Sequence, residues 1–218
     1  MLQRLCNVPP VSAALEPAVA SVPGDVLVWR FDRPTEAISS ASVNGGAGRI
    51  DWILNVGVER GYARTDLDEH AAGIASKLGL DGRGTALFTA VDVRGVRRAE
   101  CDGVVVHATV GISGPTWAAG SEFAPESSEA GTINVVVQLP VGLDPGTAVN
   151  ATMTATEAKA QALAERGIDG TGTATDAVVV AWPATGHQER FAGPRSVWGR
   201  KLAIAVHSAV QAGLPQSA

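Results

Sequence analysis

The chain has 218 residues and a mass of 22.3 kDa, and 36 Ala with 25 Gly make small side chains its main material. Hydrophobic residues at 45% and charged residues at 18% fit a globular chain of one domain, or one domain built from two similar halves, and exclude wholesale disorder. A net charge of −5 leaves no basic footprint for nucleic acid, and no apolar run approaches the ~20 residues that cross a bilayer, so neither is expected as a partner.

In chain order, residues 1–24 carry Pro9, Pro10, Pro17 and Pro23 without a clear period and read as an irregular lead-in. One domain over 25–215 is expected to follow. The β-branched and aromatic run Val26–Phe31 predicts a strand, and the small, polar, Gly-rich stretch 37–48 predicts a loop whose backbone can approach a neighbour closely. Thr65 is placed to cap a helix over 67–80 along Leu67, Ala71, Ile74 and Leu78, with Gly79 as its stop. Strands are predicted at 85–93 and 103–110 around an Arg94-Gly95 turn, and 111–131 reads as a turn-rich loop between halves. A strand at 133–141 leads into a helix opened by Asp144 and Pro145 and closed at Gly167, with Val149, Met153, Ala160 and Leu163 as its apolar line. A strand at 176–183 and a helix from Ser196 to Gly213 complete the chain.

An internal echo organises these elements. Residues 79–86 (GLDGRGTA) and 167–174 (GIDGTGTA) are identical at six positions, and each follows a predicted helix and precedes a predicted strand. The expected fold is therefore α/β, with two pseudo-symmetric strand–helix–strand–strand halves forming a mixed, substantially antiparallel sheet flanked by helices.

Several chemistries are excluded by context. The glycine clusters follow helices and precede strands, the reverse of a dinucleotide fingerprint, and no P-loop motif exists. His70, His107, His187 and His207 show no metal-ligand spacing, so no protein-bound metal or other cofactor is expected. No G-x-S-x-G elbow is present. Cys6 and Cys101 are too few for a disulfide framework, and the N-terminus has no compact apolar stretch, so a cytoplasmic location is the default expectation.

What remains is a set of polar residues among small ones. Asn150, Thr154, Glu157 and Gln161 fall at intervals of four, three and four, a stripe that reads either as a solvated helix face or as the wall of a cleft. Asp176 reads equally as a strand-edge cap or a cleft carboxylate, and Thr132 and Asn134 open a strand where Asn is uncommon.

Residues 131–168, followed by GTATDAVVVAWP and FAGPRSVWGRKLAIAVHSAV, resemble the adenosylcobinamide amidohydrolase family. ISSASVNGGAGRIDWILNVGV and HATVGISGPTWAAG resemble it in the same order, so the likeness runs from about residue 37 to 213. The resemblance implies a hydrolase of a linear carboxamide C–N bond, which cleaves aminopropanol from adenosylcobinamide to give adenosylcobyric acid in corrinoid salvage. It implies a small-molecule corrinoid partner whose cobalt belongs to the substrate. Where family members carry His-Thr after Phe-Ala-Gly, this chain has Arg195 and Ser196, and arginine does not exchange protons near neutral pH. A corrinoid-binding protein without turnover and an amidase for another small molecule are the alternatives, and homo-oligomer formation is left open.

Amide hydrolysis needs a nucleophile, a proton acceptor and donors for the oxyanion. On this reading Glu157, Thr132 and Asp176 are the expected catalytic residues, with Glu157 or Asp176 as base and Thr132 as a polarising or nucleophilic hydroxyl. Asn44, Gly45, Gly46, Asn55, Asn134, Asn150, Arg195 and Ser196 are the expected substrate contacts. Asn44, Asn134 and Glu157 are expected to converge on one concave site.

Overall fold

The computed structural model describes residues 14–16, 24–120 and 131–215. Most of the expected lead-in, and residues 121–130 of the expected loop, lie outside the described residues. The elements are β1 (Ala14–Glu16), β2 (Val26–Ser39), β3 (Gly46–Gly57), α1 (Leu67–Lys77), β4 (Gly84–Thr89), β5 (Arg97–Cys101), β6 (Val104–Val110), β7 (Ile133–Gln138), β8 (Gly142–Leu143), α2 (Pro145–Glu165), β9 (Ala177–Pro183), β10 (Gln188–Glu189) and α3 (Val197–Gly213).

The main sheet runs β4-β3-β2-β9-β7-β6-β5, with β1 also paired to β2. Pairs β3/β4 and β7/β9 are parallel, while β1/β2, β2/β3, β2/β9, β5/β6 and β6/β7 are antiparallel. It is a mixed, mostly antiparallel sheet flanked by three helices. Each parallel pair is bridged by one helix, α1 between β3 and β4, and α2 between β7 and β9.

β2 bends where its register slips, since Arg30 pairs with Trp52 but Thr35 pairs with Ile50. Pro34 lies inside that bulge, where a missing N–H breaks no ladder bond. β3 and β7 are three places apart in the sheet, which would separate them by about 14 Å if it were flat. Asn134 Nδ2 nevertheless donates to Asn55 Oδ1 at 2.9 Å. The sheet is therefore folded over on itself, face to face.

Alternation along the strands supplies both faces. Val26, Val28, Leu54, Val56 and Ala86 pack under α1, and Val135, Val137, Val178 and Val180 pack under α2 and α3. Leu27, Trp29, Ile53, Leu87, Val136, Val179 and Ala181 fill the layer between the two sheet faces. Each fully buried side chain of this size stabilises by about 1.5–3 kcal/mol.

The structure corrects several expectations. The lead-in contributes β1, β2 continues through Ser39, and residues 46–57 form a strand, so the expected loop at 37–48 contracts to the hairpin tip 40–45. On α2 the expected apolar line holds only at Leu163, because Val149 and Met153 are exposed and Ala160 is half-buried. The buried face is instead Ala148, Ala151, Thr154, Ala155, Ala158 and Ala162, small side chains that let the helix sit close to the sheet and α3. Asp66 rather than Thr65 precedes α1, whereas Asp144 and Ser196 cap α2 and α3 as expected by accepting from Thr147 N and Gly199 N.

The repeated octapeptide is explained by its geometry. Gly79 and Gly167 both take left-handed φ (62° and 71°), and Leu80 N and Ile168 N both reach back to close the preceding helix. Beyond the turn the copies diverge, since β4 starts at Gly84, five residues after Gly79, but β9 starts at Ala177, ten residues after Gly167 and one residue from the expected 176.

Candidate functional site

The parallel strands β7 and β9 begin side by side, with Asn134 opposite Ala177. Alternation points Asn134 into the layer between the sheet faces, where it meets Asn55 from β3 and Thr109 from β6. Asn55 Nδ2 donates to Thr109 Oγ1 at 3.0 Å, and Asn134 Nδ2 donates to Asn55 Oδ1 and to the Phe88 carbonyl at 3.2 Å. Both partners of Nδ2 are acceptors, which fixes the orientation of the carboxamide. Asn134 Oδ1 is left buried without a partner. An unpaired buried oxygen costs about 1–3 kcal/mol, a cost that an incoming N–H donor relieves.

Two residues before Asn134, and on the same side of the strand, stands Thr132. Its Oγ1 lies 2.6 Å from the hydroxyl of Thr175, which in turn donates to the Gly131 carbonyl at 3.3 Å. Thr132 is buried and Thr175 exposed, so the hydroxyl pair runs from the interior to the surface.

On the α2 side of the same strand ends, Asp176 and Lys159 form a buried ion pair. Asp176 also accepts from Ile133 N at 2.8 Å, Thr173 N at 3.1 Å and the Thr173 hydroxyl. Every acceptor position of this carboxylate is engaged, so Asp176 joins the starts of β7 and β9 to α2. A Cβ on Gly172 would fall 2.3 Å from Asp176 Oδ2 and 2.5 Å from Lys159 Nζ, which explains that glycine.

The other end of the polar cluster is held by aromatic rings. Phe88 stacks on Tyr62 and His70, with centroids 5.7 and 5.6 Å away, and Tyr62 Oη lies 2.6 Å from His70 Nδ1. Burial pushes the Tyr62 phenol up.

The expected site residues therefore separate into groups. Thr132, Asn134, Asn55 and Asp176 come together at the strand ends. Asn44 does not join them: it takes a left-handed φ of 49° at the hairpin tip and donates to the Gly84 carbonyl at 2.9 Å. Gly84 and Phe88 are four residues apart on β4, about 13 Å, so Asn44 with Gly45 and Gly46 holds the opposite end of that strand. Asn150 accepts from Ala192 N, Ser196 caps α3, and Arg195 is exposed beside them, forming a third group at the starts of α2 and α3.

Glu157 is exposed on α2, while Lys159 two residues on is buried against Asp176, so the carboxylate points away from the cluster. The expected convergence of Asn44, Asn134 and Glu157 is not found. The stripe splits, because Thr154 is buried and donates to the Ala192 carbonyl whereas Gln161 faces solvent and donates to Glu165. Glu157→Gln is expected to retain turnover within about threefold of wild type, because exposed positions away from a site change little. A hundredfold loss in an aminopropanol-release assay would return this carboxylate to the mechanism.

The sequence reading missed Lys159, Thr109 and Thr175. Only Lys159 carried a signal, as one of three lysines in the chain and the one flanked by alanine on both sides.

His107 on β6 faces the same interior layer, 5.5 Å from the Trp29 ring, and its Nδ1 has no partner. Burial, helped by the nearby Arg98 charge, lowers its pKa to about 4. In the unfolded chain an imidazole titrates near 6.5, so between those values the unfolded state binds the extra proton. Stability is full above about pH 6.5 and falls on the order of 3 kcal/mol as the pH drops toward 4. His107→Leu should flatten that limb in urea titrations from pH 4 to 7, and an unchanged slope would refute the assignment.

Among the described residues no helix is long and apolar enough to cross a membrane, and no group of His, Cys, Asp and Glu is arranged to hold a metal ion.

Comparison with known proteins places the chain among amidohydrolases, hydrolases that act on amide bonds. The family model that matches, over residues 14–218, is that of adenosylcobinamide amidohydrolase, and the chain belongs to that family. The adenosylcobinamide amidohydrolase of Methanosarcina mazei is 33% identical over 188 residues, covering 82% of this chain and 90% of that protein. The one from Halobacterium salinarum is 32% identical over 183 residues, covering 80% and 78%. Among solved structures, a Pyrococcus horikoshii OT3 protein aligns with a TM-score of 0.46 at 11% identity, covering 94% of this chain and 84% of that one. An L-aminopeptidase D-Ala-esterase/amidase from Ochrobactrum anthropi aligns at 0.38 and 14% identity, covering 94% and 82%. Both scores lie below 0.5, so the family assignment rests on sequence.

Proposed function

We propose that the protein hydrolyses the amide joining aminopropanol to the corrin ring of adenosylcobinamide, releasing aminopropanol and adenosylcobyric acid for corrinoid salvage, at the starts of β7 and β9. The observation that carries this reading is the buried, unpartnered Asn134 Oδ1 on the same strand face as the Thr132 hydroxyl. A secondary amide offers one N–H and one electrophilic carbon. Asn134 Oδ1 accepts the N–H, which orients the carbonyl toward Thr132.

Thr132 Oγ1 then attacks that carbon, and its proton leaves along the Thr175 hydroxyl to solvent. The C–N bond breaks as a proton returns from water to the leaving nitrogen, aminopropanol departs as the amine, and a second water hydrolyses the resulting ester to free Thr132. Asp176 and Lys159 hold the strand that carries Thr132. The cobalt is part of the substrate.

Incubating the purified chain with adenosylcobinamide and separating the corrinoids is the direct test. Equal amounts of adenosylcobyric acid and aminopropanol are expected. Binding without either product would leave a corrinoid-binding protein, and neither binding nor hydrolysis would overturn the substrate assignment.

A further inference from the structure

We infer that Trp117 is the platform on which the planar part of the substrate rests, a role that depends on the corrinoid reading above. Its ring is 54% exposed, yet it is not loose: Nε1 donates to Asp169 Oδ1 at 2.9 Å. A large aromatic ring displayed to solvent with its one polar atom tied down presents a fixed apolar face.

Its position connects it to the strand ends. Thr116 N donates to the Gly172 carbonyl at 2.8 Å, and Thr171 N donates back to Thr116 at 2.9 Å. A few residues earlier, Gly111 N donates to the Thr132 carbonyl and Gly131 N donates to Ser113. The segment 111–117 is thus fastened at one end beside Thr132 and at the other beside the turn that leads to Thr175. Gly172, the partner of Thr116, lies three residues before Thr175 and so at most about 10 Å from it.

That separation suits a substrate whose reacting amide hangs from a bulky, flat ring system. The hydroxyls meet the amide, and a face some distance away must receive the ring. The other exposed apolar side chains near the C-terminal ends of β7 and β9, Phe191, Val149, Met153 and Val197, gather around the starts of α2 and α3 and do not border this cluster. Trp117 is therefore a positioning residue, and Asp169 positions it in turn.

Equilibrium dialysis of the full chain against adenosylcobinamide, read by corrinoid absorbance, tests this. Trp117→Ala should raise Kd about 10-fold, and Trp117→Phe, which keeps a ring, less than about 3-fold. Asp169→Ala, which keeps the indole but frees it, should fall between them. In turnover the loss should be carried by KM more than by kcat. Far-UV circular dichroism and thermal midpoints check that the variants fold. A Trp117→Ala protein with wild-type Kd overturns the inference, as does a wild-type protein that binds no adenosylcobinamide. If Trp117-dependent binding occurs without release of aminopropanol, the inference stands and the proposed reaction falls. If the wild type hydrolyses the amide and Trp117→Ala binds normally, the reverse holds.

Discussion

Replacing Lys159 by Met should remove about 3–5 kcal/mol of folding stability, because it leaves the Asp176 carboxylate buried and short of its cation. In a chain of 218 residues that is a fall of roughly 10 °C or more in Tm. Asp176→Ala should cost at least as much, since Ile133 N and Thr173 N lose their acceptor along with the lysine. Both are read from urea unfolding of the purified variants. A loss under about 1 kcal/mol for Lys159→Met would mean that water reaches the pair and that α2 is fastened elsewhere.

Thr132→Ala should lower the rate of aminopropanol release at least about 100-fold, the scale set by removing a group that meets the transition state. Thr132→Ser keeps the hydroxyl and should retain most of the rate. The two variants separate chemistry from packing, because Ser loses only the methyl group while Ala loses the Oγ1 that contacts Thr175. If Thr132 is the nucleophile, rapid quenching of the wild type should trap a corrinoid ester on Thr132, visible as added mass on the peptide containing it. A Thr132→Ala enzyme within tenfold of wild type would remove the hydroxyl from the mechanism.

Much of the fold was legible because local chemistry and tertiary context agreed. Asp144-Pro145 and Ser196 mark helix starts that the backbone uses as read, and the valine runs of β6, β7 and β9 are strands buried on both faces. The failures came where small residues carry two meanings. Gly46 and Gly48 signalled a loop, yet they lie in β3, where the hairpin curls so closely that Val43 bridges Ala86 of β4. Val149 and Met153 signalled the buried face of α2, but the tight approach of that helix admits mainly alanine.

The site was half legible for a related reason. Thr132, Asn134 and Asp176 stand at strand starts, where polar residues next to valine runs stand out. Their partners Asn55, Thr109 and Lys159 arrive from β3, β6 and α2, and nothing local encodes that the sheet folds over. Glu157 looked functional because a carboxylate in a polar stripe resembles a base, whereas helical phase turns it outward and gives the interior to Lys159.

The closure of the sheet over itself also has a kinetic side. The Asn134–Asn55 hydrogen bond joins residues 79 apart in the chain, and the Asn55–Thr109 bond joins residues 54 apart. Contacts of that span form only after long loops have been closed, and they slow folding more than they govern final stability. The two βαβ units can each collect around their own helix before they dock, so the polar cluster is born at the docking step. Substitutions at Asn55 or Asn134 should then accelerate unfolding far more than they retard refolding. A chain whose halves have formed but not yet met would carry most of its helices and strands with no working centre, and activity would lag behind circular dichroism during refolding.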